Sequence, residues 1–271
     1  GAFTYAIIAG SGSATINSST GLITGISIGT ITLTVTSTGD TNYNVATTSQ
    51  LITIGKTTPV LTITSANTIN VDGTLTATVS TTATNGRGGA FTYALLAGSG
   101  SATINSSTGL ITGISIGTVT LTVTSAGDTN YNAATTSQLI TIGKTTPVLT
   151  ITSANTVNVD GALTATVTTT ATFGRGGAFT YALTAGSGSA TINASTGLVT
   201  GISIGTVTLT VTSAGDTNYN VATTSQLITI GKTTPVLTIT SANTLNVNSS
   251  LTATVSTTAT GGRGGAFTYA L

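Results

Sequence analysis

Residues 118–125 read TVTLTVTS, so Val119, Leu121 and Val123 fall on one side of an extended chain and hydroxyls on the other. Strict alternation of this kind is the mark of a half-buried strand. The same period of two governs Val60-Leu61-Thr62-Ile63-Thr64, the stretch Leu75 to Ser80, and Ala90 to Ala97, where Phe91, Tyr93 and Leu95 share a face. Shorter apolar segments at Ile69 to Val71, Ala102 to Asn105, Leu110 to Thr112 and Ser137 to Ile142 read as strands too. Turn signals separate them. Asp72-Gly73 tolerates the positive φ angles of a tight turn. TNGRGG at 84–89, Gly98-Ser99-Gly100 and DTNYN at 128–132 are loop compositions. No segment has a helical period. Seven or eight short strands broken by frequent turns predict an all-β fold, an antiparallel β-sandwich. A transmembrane barrel also alternates, but it needs aromatic girdles, and aromatics are 4% of this chain.

The pattern repeats. GAFTY opens at Gly1, Gly89, Gly177 and Gly265, a spacing of 88 residues. A unit of that length can bury its own core, unlike the shorter repeats of solenoids. Lys-Thr-Thr-Pro recurs at Lys56, Lys144 and Lys232, between apolar runs, and reads as a linker. Boundaries placed there give two complete domains, 56–143 and 144–231. A partial domain at 1–55 lacks the first two strands, and one at 232–271 holds only the first strands. Each end is then half a domain. Either the sequence is a window on a longer covalent array, or copies complete one another head-to-tail by donating strands. The duplicated GAFTYA favours the array, because an exchanged strand need not occur twice. Residues 89–176 and 177–264 differ at only about ten positions.

GSGSATINSSTGLITGISIGTVTLTVTS, from residue 98, resembles the second half of bacterial immunoglobulin-like repeats. AGDTNYNAATTSQLITIGK, from residue 126, is similar to their closing segment and last strand. The resemblance extends over every repeat. It implies tandem immunoglobulin-like sandwiches of the kind stacked in bacterial adhesins, surface layers and extracellular fibres, where most domains act as spacers.

Composition narrows the chemistry. Charged residues are 4% of the chain, the net charge is +1, and there is no His, Cys or Glu. No basic patch exists for nucleic acid or anionic lipid. General acid–base work needs paired or perturbed groups, and each repeat has at most two Asp residues, in separate turns. No enzyme activity and no cofactor are expected, and no run is long enough for a membrane-spanning helix. DTNYN, at Asp40, Asp128 and Asp216, fits the opening of a calcium loop, D-x-N-x-N. Calcium wants six to eight oxygens, and this loop offers one carboxylate, so the stronger reading is a turn with the Tyr ring packed onto the sandwich. Internal isopeptide or ester cross-links would call on Lys144 or on Gln50, Gln138 and Gln226, but the usual acid and His helpers are missing. Thr-x-Thr arrays suggest ice binding, yet Thr also suits any exposed sheet face.

In an immunoglobulin-like sandwich the loops before the third and last strands share one end, and the Asp72 turn lies at the other. The charges should then collect at the joints between domains: Lys56, Asp72, Arg87, Asp128, Lys144, Asp160, Arg175, Asp216 and Lys232. There they would fix the inter-domain angle. The expectation is a structural repeat region of a secreted, cell-surface bacterial protein, an extracellular filament or an adhesin stalk. Its partners would be copies of itself, through head-to-tail or lateral fibre contacts, and further repeats of the same chain. A multivalent carbohydrate- or surface-binding adhesin module is the alternative, with a glycan as partner, and exposed Tyr43, Tyr131 and Tyr219 would speak for it.

Overall fold

The computed structural model describes residues 1–84, 88–172, 176–262 and 264–270. Two compact units divide the chain, Gly1–Gly143 and Lys144–Leu271. Unit one begins with β1 (Phe3–Ala9), β2 (Ser13–Ile16), β3 (Ile23–Ser27), β4 (Gly29–Ser37) and β5 (Ala46–Ile54). A complete repeat follows. It runs β6 (Leu61–Ile63), β7 (Thr68–Asn70), β8 (Thr74–Thr76), β9 (Val79–Thr81), β10 (Phe91–Ala97), β11 (Ser101–Ile104), β12 (Leu110–Ser115), β13 (Gly117–Ser125) and β14 (Ala134–Gly143). Unit two repeats this order as β15 (Leu149–Ile151), β16 (Thr156–Asn158), β17 (Ala162–Thr164), β18 (Val167–Thr169), β19 (Phe179–Ala185), β20 (Ser189–Ile192), β21 (Leu198–Ser203), β22 (Gly205–Ser213) and β23 (Ala222–Gly231). It continues with β24 (Leu237–Ile239) and β25 (Val255–Thr257). The fold is all-β, as the alternation predicts.

In the complete repeat of unit one, β10, β13, β14 and β7 form one sheet. Strands β11, β12 and β8 form another, and β6 pairs with β9. The alternation of β13 sets the core. Val119, Leu121 and Val123 are fully buried between the sheets, with Ile140 and Ile142 of β14 beside them and Ile111 of β12 opposite. Burying each such side chain is worth about 1.5–3 kcal/mol. In unit two Val207, Leu209, Val211, Ile228, Ile230 and Val199 form the same cluster.

Two details depart from the sequence pattern. Leu75 to Ser80 alternates as one strand, yet the structure breaks it into β8, which pairs with β12, and β9, which pairs with β6. The break is at Ala77. Its N–H goes to the Gly109 carbonyl at 2.9 Å, while the next carbonyl, Thr78, takes Thr64 N at 2.8 Å. The chain therefore changes sheets there, and a complete repeat has nine strands rather than seven or eight. The second detail is that β7 runs parallel to β14, pairing Thr68 with Thr141 and Asn70 with Gly143. After β6 the chain crosses to the other sheet instead of turning back as a hairpin, so β7 meets the last strand in the same direction.

Ile31 of β4 is fully buried even in 1–55, but burial is more extensive where all nine strands are present. Tyr219 is 1% exposed, whereas its counterpart Tyr43 in 1–55 is 76% exposed. Leu149 is 7% exposed and its counterpart Leu237 is 55%.

Candidate functional site at the joints between repeats

The DTNYN loop joins β13 to β14 and is built around its carboxylate. Asp128 Oδ1 accepts the N–H groups of Asn130 at 2.7 Å and Tyr131 at 2.9 Å, and Oδ2 accepts Gly88 N at 2.8 Å. Asp216 repeats this with Asn218, Tyr219 and Gly176 at 2.7, 2.9 and 2.7 Å. The Gly176 N–H, helped by those of Asn218 and Tyr219 and by the Lys144 charge, holds the Asp216 carboxyl below its ordinary range against the opposing effect of desolvation. In the first repeat the Asn42 N–H, helped by that of Tyr43, lowers Asp40 in the same way. A carboxylate already facing three N–H donors is arranged to hold a turn, and a calcium ion wants those oxygens free. Among the described residues no cluster of three or more His, Cys, Asp or Glu is placed for a metal.

This loop also ties down the glycine-rich loop before β10. The Ser125 hydroxyl donates to the Gly88 carbonyl, and Ser213 does the same to Gly176. The ring of Tyr219 is buried and its hydroxyl accepts Thr172 N at 3.2 Å. Tyr131 is half-buried, its hydroxyl likewise accepting Thr84 N at 3.2 Å.

The linker is fastened to the same loop. Lys56 Nζ donates to the Asp128 carbonyl at 2.7 Å, and Lys144 Nζ to the Asp216 carbonyl at 2.6 Å. Thr57 N donates to Asn130 O at 3.2 Å and Thr57 O accepts Asn132 N at 2.9 Å. Asn132 Nδ2 reaches Thr58 Oγ1 at 3.0 Å. The Lys-Thr-Thr-Pro stretch therefore lies on the domain that it precedes, as a short ribbon edge.

Within unit one the next contact crosses from one repeat to the other. Ile28, just ahead of β4, donates its N–H to Asn130 Oδ1 at 2.9 Å. A cavity of about 270 Å³ opens beside it, lined by Ile26, Ile28, Ile54, Thr57 and Tyr131 among others. Within unit two the joint at Lys232 is seen from its other side. The Thr233 hydroxyl donates to the Val159 carbonyl. Thr260 Oγ1 donates to Asp160 Oδ1 at 2.7 Å. Asp160, Ile204, Lys232 and Pro235 line a cavity of about 200 Å³. Asp160 sits at φ 62°, as do Asp72 and Asn248 in the equivalent turns, which side chains other than Gly, Asn and Asp adopt at a cost.

Of the charges expected at the joints, Lys56 meets the Asp128 loop, Lys144 meets the Asp216 loop, and Asp160 and Lys232 share one cavity. Asp72 lies in the turn between β7 and β8, its N–H on the Gly113 carbonyl at 2.9 Å. Arg87 and Arg175, like Arg263, lie outside the described residues. Lys56 and Lys144 bond to backbone carbonyls of their own repeat. Among the described residues, the bonds that cross between repeats include those given by the Ile28 amide and the Thr233 and Thr260 hydroxyls, the last ending on the Asp160 carboxylate. Asn130, Thr233 and Thr260 were not legible as joint residues. The only signal for them was their return at the same place in every linker or loop.

Residues 56–137 match the bacterial Ig-like domain (group 2) family. This repeat is a bacterial Ig-like domain. The repeat that carries the bacterial Ig-like match, 56–143, is followed by a near copy at 144–231, with the same strand order. Domains of this family occur in extracellular bacterial proteins. Among the described residues no helix is long and apolar enough to cross a membrane. Among solved structures the chain is similar to the fibronectin(III)-like modules of CbhA from Clostridium thermocellum, with TM-score 0.27 and 12% identity over 64% of this chain and 95% of that one. It is also similar to immunoglobulin domains 1–5 of Sidekick-1, with TM-score 0.32 and 16% identity over 85% of this chain and 52% of that one. Neither bears on what this chain does. No curated protein matches the chain closely enough to count as a relative.

Proposed function

We propose that the chain is a tension-bearing spacer, the repeat region of a secreted bacterial surface protein that forms an extracellular filament or an adhesin stalk. One observation carries the reading. The parallel pair β7–β14 lies between the points where each Ig-like domain is entered and left. Force applied at the two linkers draws the start of β7 one way and the end of β14 the other. The bonds between them, such as Val71 N to Gly143 O at 3.0 Å and Thr141 N to Asn67 O at 2.9 Å, are then loaded in shear together rather than opened one by one. In the second domain Val159 N to Gly231 O and Thr229 N to Asn155 O, both 2.9 Å, repeat the arrangement. A linker hydrogen-bonded along its length adds no slack between domains.

The carbohydrate-binding alternative has less to stand on. Its aromatic platform would need free Tyr rings, and in the complete domains Tyr219 is buried and Tyr131 half-buried. Single-molecule stretching tests the spacer. Each complete domain is expected to unfold as a separate high-force event that releases one 88-residue repeat. Smooth extension at low force would overturn the proposal.

A further inference from the structure

The outer face of the β10–β13–β14 sheet is a second feature that the spacer role does not use. On its hidden side β13 presents Val119, Leu121 and Val123, so Thr120, Thr122 and Thr124 face outward. Register fixes their neighbours across the sheet. Thr124 lies between Thr92 and Thr135, Thr122 between Ala94 and Ser137, and Thr120 between Leu96 and Leu139. The last row exposes two large aliphatic side chains, Leu96 at 70% and Leu139 at 57%. The first repeat has the same row, with Ile8 at 66% and Leu51 at 65% on either side of Thr32. In the next repeat the row is Thr184, Thr208 and Leu227.

We infer that this face is a lateral docking surface for a second copy of this chain. The inference rests on the spacer reading and names a partner for it. Charge selects the partner class. No Asp, Glu, Lys, Arg or His occurs in these three strands, and the described Lys and Asp side chains lie in linkers and turns. An anionic polymer or lipid headgroup would meet no counter-charge there and would lose its water for nothing. A copy of the same face meets hydroxyls with hydroxyls and the aliphatic row with its like, at a matching strand spacing, through a two-fold pairing that closes on itself.

Area sets a second condition. Three strands about 4.8 Å apart and seven paired rows at about 3.4 Å each cover roughly 350 Å². A stable interface takes about 800 Å² from each partner. One repeat is therefore too small to dimerise, and association needs the faces of two or more repeats engaged at once.

The test is sedimentation velocity of the whole 271-residue chain from micromolar to millimolar concentration, with its thermal melt recorded alongside. The expected result is reversible, concentration-dependent association that salt leaves unchanged. Replacing Leu51, Leu139 and Leu227 together by Lys should abolish it while the melt stays in place. Thr184→Leu, which completes the third aliphatic row, should tighten it at least several-fold. A chain that stays monomeric throughout, or a triple-Lys variant that is folded and associates as before, overturns the inference. So does a Thr184→Leu variant with unchanged association. Binding of the monomeric chain to an insoluble polysaccharide through this face, without self-association, would also overturn it. A monomer that still unfolds at high force would leave the spacer reading standing, which separates the two failures.

Discussion

Asp128 Oδ2 accepts the Gly88 amide at 2.8 Å across forty residues of chain, joining the loop before β10 to the loop before β14. The same carboxylate closes its own turn through Asn130 and Tyr131. One side chain thus supports two loops and the ledge on which the linker sits.

Asp128→Ala should lower the melting temperature of its domain by several degrees, because three N–H groups lose their acceptor together. Asp128→Asn keeps one acceptor oxygen and should fall between. Calorimetry of the chain reads both, and equal melts for Ala and wild type would remove the loop from the list of stabilising features.

Acid should act through this loop. Asp216 has a folded pKa below its ordinary value, owing first to the Gly176 N–H. Its contribution is therefore fully present above the unfolded carboxylate pKa, about 3.9, and is lost as pH falls through the lower folded value. The chain has no His, Cys or Glu. Thermal melts are expected to be flat from about pH 5 to 7 and to decline only below about pH 4. A transition near neutrality would contradict this.

The Asn130 side-chain amide bridges the joint in unit one. Asn130→Ala removes the acceptor of Ile28 N–H. Global stability should drop by only about 0.5–1.5 kcal/mol. The larger effect should be on the angle between 1–55 and 56–143, read as a broader distribution of residual dipolar couplings. Thr260→Val should do the same at the Asp160 contact in unit two.

Val159→Pro removes the donor to Gly231 O at the end of the parallel pair. Its domain should unfold at distinctly lower force, while the domain at 56–143 keeps its own value within the same trace. Leu209→Ala, at a fully buried position, should cost about 2–5 kcal/mol in denaturant. Because Leu209 lies away from the parallel pair in sequence, the two variants separate mechanical from thermodynamic stability.

Much of the fold was legible because one face of each strand is buried and the other wet. The hydroxyl–aliphatic alternation of 118–125 corresponds to β13, and that of Phe91, Tyr93 and Leu95 to β10. Alternation says which face is hidden but not which sheet hides it. Leu75 and Val79 keep the same period on either side of Ala77, so nothing in the pattern marked the change of sheet. The direction of β7 was equally silent, since three residues pair in either sense. At the joints, charge pointed to Asp160, which accepts Thr260 Oγ1, but not to Asn130, Thr233 or Thr260 itself. Neutral hydrogen-bonding side chains carry no signal in a chain so rich in Thr.

Lys56 is fastened to the Asp128 carbonyl, 72 residues further along. During synthesis the linker thus emerges long before the loop that will hold it. Until that loop appears, each new domain hangs from the finished ones on a loose tether. The joint at Lys56 is thus among the later features of its repeat to form, so the growing chain stays pliant at its newest end and hardens behind it.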